Sequence, residues 1–146
     1  MTNPVNAKPI YTSFGFVSDG DTISLKKGNE IVRMRLAFID APETGQELGK
    51  TAKEHLAQLL KGELTFTDYG KDRYDRRIVE IYADGVLVNV QMVRAGLAYF
   101  YARYCRKNCN YNLYKEAEDK AKWERRGIWN WNYSDELPED FRHRPR

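Results

Sequence analysis

Between residues 31 and 39 the chain alternates in a way that few backbones accommodate. Met34, Leu36 and Phe38 fall on one side, Arg33 and Arg35 on the other, and Pro42 follows shortly after. A period of two is that of a strand, and it sends Arg35 away from the apolar side, to solvent or into a polar cleft. Pro42 ends the strand, because proline has no amide proton to give to a ladder. Two more strands are predicted upstream: 11–18, where Phe14 and Phe16 share a face, and 21–26, where Ile23 and Leu25 do. Lys27-Gly28-Asn29 suits the hairpin that joins the second to the third.

Downstream the period changes. Leu48, Ala52, Leu56, Leu59 and Leu60 form a helical stripe over 46–60, and Gly62 is a suitable stop. His55 adjoins the stripe and reads as a half-buried packing residue. Leu64 and Phe66 alternate with threonines, and Ile78 to Tyr82 runs into the Asp84-Gly85 turn and the short Val86-Leu87-Val88. Asn89 is placed to cap a helix that carries Val90, Met92 and Val93 and closes at Gly96. A last helix over 112–126 sets Leu113, Ala117 and Ala121 at four-residue steps, with Trp123, Ile128 and Trp129 completing the core. This order predicts an α+β fold, mainly β, of the oligonucleotide-binding barrel type. The domain spans 11–132, between an N-terminal tail, 1–10, and a polar C-terminal tail, 133–146.

A chain of 146 residues can bury a real core in one domain. Its aromatic content of 13% argues against disorder. The net charge of +3, from 24 basic and 21 acidic residues, permits a polyanionic partner without demanding one. The basic runs 71–77 and 142–146 read as solvated surface until a motif says otherwise. No apolar run reaches the roughly 18 residues of a membrane helix, so no membrane partner is expected. Residues 1–10 are polar and contain proline, unlike an export signal. Cys105 and Cys109 are four apart in a polar, loop-like stretch, where a local disulfide and two free thiols are the alternatives. With His55 and His143 both remote, a zinc site has little support.

The chemistry lies in three short stretches: Asp19-Gly20-Asp21-Thr22, Arg35 to Glu43, and Tyr74-Asp75-Arg76. Breaking a phosphodiester requires neutralisation of charge that builds on the phosphoryl oxygens, and a positioned water. Asp21 and Asp40, each at a strand end, are oxygen donors for Ca²⁺ or Mg²⁺. Glu43, just past Pro42, is placed to direct water. Arg35 and Arg76 can each clasp a phosphate through two parallel hydrogen bonds, as lysine cannot. Each piece has a plainer reading. Asp-Gly-Asp is most often a turn, Glu43 could simply favour a helix start, and Arg76 could belong to a solvated loop. Nor is this an EF-hand loop: with Asp19 at position one, Ser24 falls where glycine is required.

In combination these residues resemble the staphylococcal nuclease (thermonuclease) family. The likeness runs over about 11–131 and also includes Ile81 to Gly85, Val93 to Ala98 and Gly127-Ile128-Trp129. It implies a five-stranded barrel with three helices, and a Ca²⁺-dependent endonuclease that acts on DNA and RNA and leaves 3′-phosphates. By the same resemblance Asp21, Asp40 and the backbone carbonyl of Ala41 would ligate calcium. Glu43 would serve the attacking water, and Arg35 and Arg76 would hold the phosphate. Ala41 stands where the family often has threonine, a change that a carbonyl ligand survives. Asp75 replaces a common glycine and would either weaken substrate binding or pair with Arg73 or Arg77. Arg73 and Tyr74 are expected at the substrate. Of Tyr99, Tyr101 and Tyr104, the last two are favoured for stacking on the base, with core packing as their alternative role.

The expected protein is thus a monomeric, metal-dependent nuclease. A binding or scaffold module of the same fold that has lost catalysis is the alternative, although such copies usually lose the acids and arginines that this chain keeps. A nuclease loose in the cytoplasm endangers its owner, so a secreted or periplasmic location is expected.

Overall fold

The computed structural model describes residues 13–145. The N-terminal tail and the first two residues of the predicted first strand lie outside them. Strands β1 (Ser13–Asp19), β2 (Thr22–Lys27) and β3 (Glu30–Leu36) form an antiparallel meander. The β2–β3 hairpin turns at Gly28-Asn29, with Gly28 at φ 61°. After α1 (Gly49–Leu59), β5 (Leu64–Lys71) and β6 (Arg77–Ala83) pair antiparallel, and β6 lies parallel to β3. The sheet order is β1-β2-β3-β6-β5, with β7 (Val86–Leu87) added to β6. A separate pair joins β4 (Ile39–Asp40) to β8 (Tyr99–Phe100). The helices α2 (Val88–Arg94), α3 (Tyr111–Trp123) and α4 (Pro138–Arg142) complete the order. The α+β class is as expected. A closed five-stranded barrel is not: among the described residues no ladder joins β1 to β5, and the helices number four rather than three.

The core follows the strand period. Met34 and Leu36 are buried, as are Ile23 and Leu25 across from them and Val79 and Ile81 on β6. Ala52 and Leu56 of α1 close over them. His55 is half-buried, and its pKa is held below the ordinary value by that burial. Phe16 departs from its expected place at 56% exposure, beyond a register shift between Phe14 and Phe16. Trp123 also departs from expectation, at 88% exposure. It lies two residues past Ala121, about 200° around the helix and off the buried stripe. Tyr114 takes the central place instead, fully buried with its hydroxyl donating to Glu80 at 2.6 Å.

The strand predicted through residue 39 breaks at Leu36. Ala37 and Phe38 turn, Phe38 takes a left-handed φ of 69°, and its ring packs edge-on to Tyr69 and Tyr114. Such a conformation is uncommon for an aromatic residue and needs surroundings that hold it. Asn89 does much of that holding. It does not cap α2, whose N-cap is Leu87. Wholly buried, its Nδ2 donates to the carbonyls of Ala37 and Val79, both at 3.0 Å, while its Oδ1 accepts from the Ile81 amide at 3.0 Å. Replacing Asn89 with alanine takes these bonds from the Ala37 carbonyl and the Ile81 amide, while the Val79 carbonyl keeps the Ala37 amide at 2.7 Å. We expect a loss of about 2 kcal/mol of stability by urea denaturation, at roughly 1 kcal/mol for each of these two groups; a loss below 1 kcal/mol would contradict this account.

Candidate active site

The β1–β2 turn and the β3–β4 break bring the acids together. Thr22 pairs with Arg35 across the hairpin, and the Leu36 amide donates to the Asp21 carbonyl at 2.8 Å. Gly20 lies so close to Ala52 and Ala41 that an added Cβ would come within 2.7 and 2.8 Å of theirs. This close approach presses the Asp19–Asp21 turn onto α1 and the strand exit. Asp21 Oδ2 accepts the Ala41 amide at 2.7 Å, and its Oδ1 accepts the Thr22 hydroxyl at 3.0 Å. The two aspartates are 5% and 4% exposed, and a single Arg35 nitrogen, Nη2, lies 3.4 Å from Asp21 Oδ2 and 3.3 Å from Asp40 Oδ1.

Glu43 is set by a tight wrap. Its amide donates to Gln46 Oε1 at 2.9 Å, and its carbonyl accepts from the Gln46 amide at 2.8 Å. Gly49 passes so near that a Cβ there would meet the Glu43 carbonyl. These turns delay the helix, predicted from 46, until Gly49.

Burial dominates the titration of the acids. It opposes ionisation of Asp21, but the Arg35 charge and the hydrogen bonds from Asp19, Ala41 and Thr22 outweigh it and hold that carboxyl below its usual range. Asp19, buried beside the Asp21 charge, is pushed up. Asp40 is also raised, chiefly by burial and by Asp21, against the pull of two arginines.

The second of these arginines is Arg142, from the segment expected as a polar tail. That segment packs on the domain. Gln46 Nε2 donates to the Glu136 carbonyl at 2.7 Å, the Glu47 amide to Asp135 at 2.8 Å, and Tyr101 to Glu139 at 3.1 Å. Arg142 then reaches Glu43 Oε1 at 2.6 Å and Asp40 Oδ1 at 3.0 Å.

Arg76 is not drawn into this cluster by a contact of its own. Its Nε donates to Asp72 Oδ2 at 2.8 Å, and its guanidinium lies 5.4 Å from the Tyr74 ring centre, which the Arg73 guanidinium approaches to 5.2 Å. Arg76 directly precedes β6, whose first residue, Arg77, pairs with Met34 of β3. Asp75 has φ 62° and pairs with Lys71 at 3.0 Å, rather than with Arg73 or Arg77; aspartate tolerates that conformation better than most residues. Tyr101 and Tyr104 meet edge to face with Arg103 over both rings, whereas Tyr99 packs on Trp129. Cys105 and Cys109 are joined in a disulfide that closes the following loop.

Residue-by-residue reading missed Arg142, Asp72 as the partner of Arg76, and Asp19 as a member of the cluster. Asp19 carried a signal, being part of Asp-Gly-Asp; Arg142 had only the basic run 142–146, which looks like surface.

Among the described residues no three His, Cys, Asp or Glu side chains are arranged to hold a metal ion. The expected set, however, is two carboxylates and a carbonyl. Asp21 and Asp40 fit it: both are hard oxygen donors, buried, and close enough together that one Arg35 nitrogen reaches both.

Fold and site together define a small α+β domain with a buried acid–arginine centre. A family model described as staphylococcal nuclease homologue matches residues 33–131. A protein of Escherichia coli O157:H7 named as an uncharacterized endonuclease is 38% identical over 128 residues, covering 86% of this chain and 81% of its own length. One from Haemophilus influenzae with the same description is 36% identical over 115 residues, covering 77% of this chain and 62% of its own. A micrococcal nuclease of Shigella flexneri is 37% identical over 123 residues, with 77% and 70% covered. The chain belongs to the staphylococcal nuclease homologue family.

The Asp72 carboxylate gives this site a pH signature. Burial works to raise its pKa, but hydrogen bonds from the Arg76 and Tyr74 amides and from the Arg76 side chain lower it below the ordinary 3.8. A depressed acid stabilises the fold above its unfolded value and ceases to do so as pH falls through its folded one. Amide protection of Tyr74 and Arg76 should therefore persist at neutral pH and fade below pH 3.8, as followed by hydrogen exchange. In Asp72→Asn the same protection should be weak at every pH.

Proposed function

We propose that this protein is a calcium-dependent nuclease that hydrolyses phosphodiester bonds in DNA and RNA and leaves 3′-phosphate ends. Family membership and the names of its relatives support a phosphodiester-cleaving enzyme. The observation that carries the finer reading is that buried Asp21 and Asp40 both lie within 3.4 Å of a single nitrogen of Arg35, which brings the two carboxylates together. Asp21, Asp40 and the Ala41 carbonyl would hold Ca²⁺. When bound, the ion supplies positive charge against the negative charge that builds on the phosphoryl oxygens.

The remaining roles fall to side chains. Arg35 lies beside the acids and offers a fork to the phosphate. Arg76, held by Asp72, adds a second fork. Glu43, on its tight wrap, directs a water or takes its proton. Tyr74 with Arg73, and Tyr101 with Tyr104, offer flat faces to bases; stacking of this kind tolerates any sequence. We read the protein as a monomer that works in a secreted or periplasmic compartment, which suits the Cys105–Cys109 disulfide.

Plasmid digestion in Ca²⁺ against chelator tests this reading: cutting should require the ion. Binding without cutting at saturating Ca²⁺ would favour the inactive module instead. Glu43→Gln should lower turnover by roughly 10²–10⁴, the range of a general base. Arg76→Ala should lower it about a hundredfold or more, as loss of a transition-state charge contact does. Turnover in Glu43→Gln like that of the wild type would remove Glu43 from this role.

A further inference from the structure

The segment after Tyr133 puts a cation where the proposed function needs another. Arg142 Nη1 lies 3.0 Å from Asp40 Oδ1 and 2.6 Å from Glu43 Oε1, and its Nη2 lies 3.4 Å from Asp40 Oδ2. Both oxygens of Asp40 are thus engaged by one guanidinium, while Arg35 also claims Oδ1. We propose that Arg142 is an internal competitor of the divalent cation, and that the ion binds only as this side chain gives up Asp40. The inference rests on the calcium reading above and concerns the regulation of that same site.

Three physical points support it. A carboxylate has two oxygens, and a fork on both leaves little for a metal, which needs at least one as a direct ligand. Two cations drawn to the same oxygens repel each other strongly where water is partly excluded, and Asp40 is almost wholly buried. Finally, the competitor is delivered by its own anchors. Pro138 is buried, Phe141 lies against Gly45, Glu139 accepts from Tyr101 and Arg103, and Asp135 and the Glu136 carbonyl take donors from Glu47 and Gln46. None of these anchors needs Arg142. Tethering of this kind keeps the guanidinium at high effective concentration, so the ion must outcompete it at every encounter.

The exposure of Arg142 sets the scale. Its side chain is 36% exposed, so solvent screens the pair in part and displacement is feasible. The competition should cost the ion about tenfold in affinity, equivalent to one moderate charge pair.

The test is a calorimetric titration of the full chain with CaCl₂ in the absence of nucleic acid. Arg142→Gln keeps the length and removes the charge, and it should bind Ca²⁺ about tenfold more tightly than wild type. Arg142→Lys keeps the charge without the fork and should gain about threefold. Arg144→Gln removes the same charge from the same segment, where it pairs with Glu136, and should leave the affinity unchanged. The rise in melting temperature on adding saturating Ca²⁺ should also be larger for Arg142→Gln than for wild type. Should Arg142→Gln fail to fold, the lysine variant carries the test. Equal or weaker binding by the Arg142 variants, with Ca²⁺ still bound, overturns this proposal alone and leaves Arg142 as a residue that organises the acids. A gain equal to that of Arg144→Gln overturns it too, because general charge would then suffice. Absence of Ca²⁺ binding by wild type and variants alike would sink the calcium reading together with it.

Discussion

Asn89 satisfies three backbone groups at the point where β3 stops and the chain doubles back toward the acids. A strand that ends inside a protein leaves amides and carbonyls that water cannot reach, and each is costly if left alone. Here one buried amide side chain takes on the Ala37 and Val79 carbonyls and the Ile81 amide, and the Ala37 amide donates to Val79 at 2.7 Å. With those groups paired, Phe38 can adopt its left-handed turn and β4 can leave the main sheet to pair with β8. Asp40 is thereby carried next to Asp21. Had the strand run straight on, Asp40 would have continued along the sheet, away from the β1–β2 turn.

The acids so assembled are sustained by charge. Asp21 and Asp40 are buried, and buried carboxylates persist only when paired or hydrogen-bonded. Arg35 bridges both, the Ala41 amide and Thr22 hydroxyl complete Asp21, and Arg142 covers Asp40 and Glu43. Asp19 is raised by its burial and then by the Asp21 charge beside it. Three carboxylates faced by two guanidinium groups form a centre with a remaining pull for cations.

Local pattern disclosed much of this. The alternation at 31–36, the Gly28 hairpin and the apolar stripe of α1 each follow from neighbours a few residues apart, and each is present. Of the motif residues, Asp21 and Asp40 meet at Arg35, Glu43 joins Asp40 through Arg142, and Arg76 is held apart by Asp72. Other places ran against local pattern. Phe38 looks like a strand residue because its apolar character fits the period, yet its conformation answers to Tyr69, Tyr114 and the Asn89 anchor. Trp123 looks like core by its chemistry, but its angle around α3 points it to solvent. Asn89 looks like a cap because it precedes a helix, though its side chain turns inward to the sheet.

The sequence alone determined the strand and helix periods, the family, and the kinds of group that gather at the centre, since all of these are written in residue types at short spacing. Only the tertiary structure decided that no ladder closes the sheet among the described residues, that Arg76 is held by Asp72, and that the polar C-terminal stretch returns to place Arg142 on Asp40. These two residues stand 102 positions apart. A contact over that separation leaves no periodic trace, because it depends on where every intervening element packs rather than on the residues beside either partner.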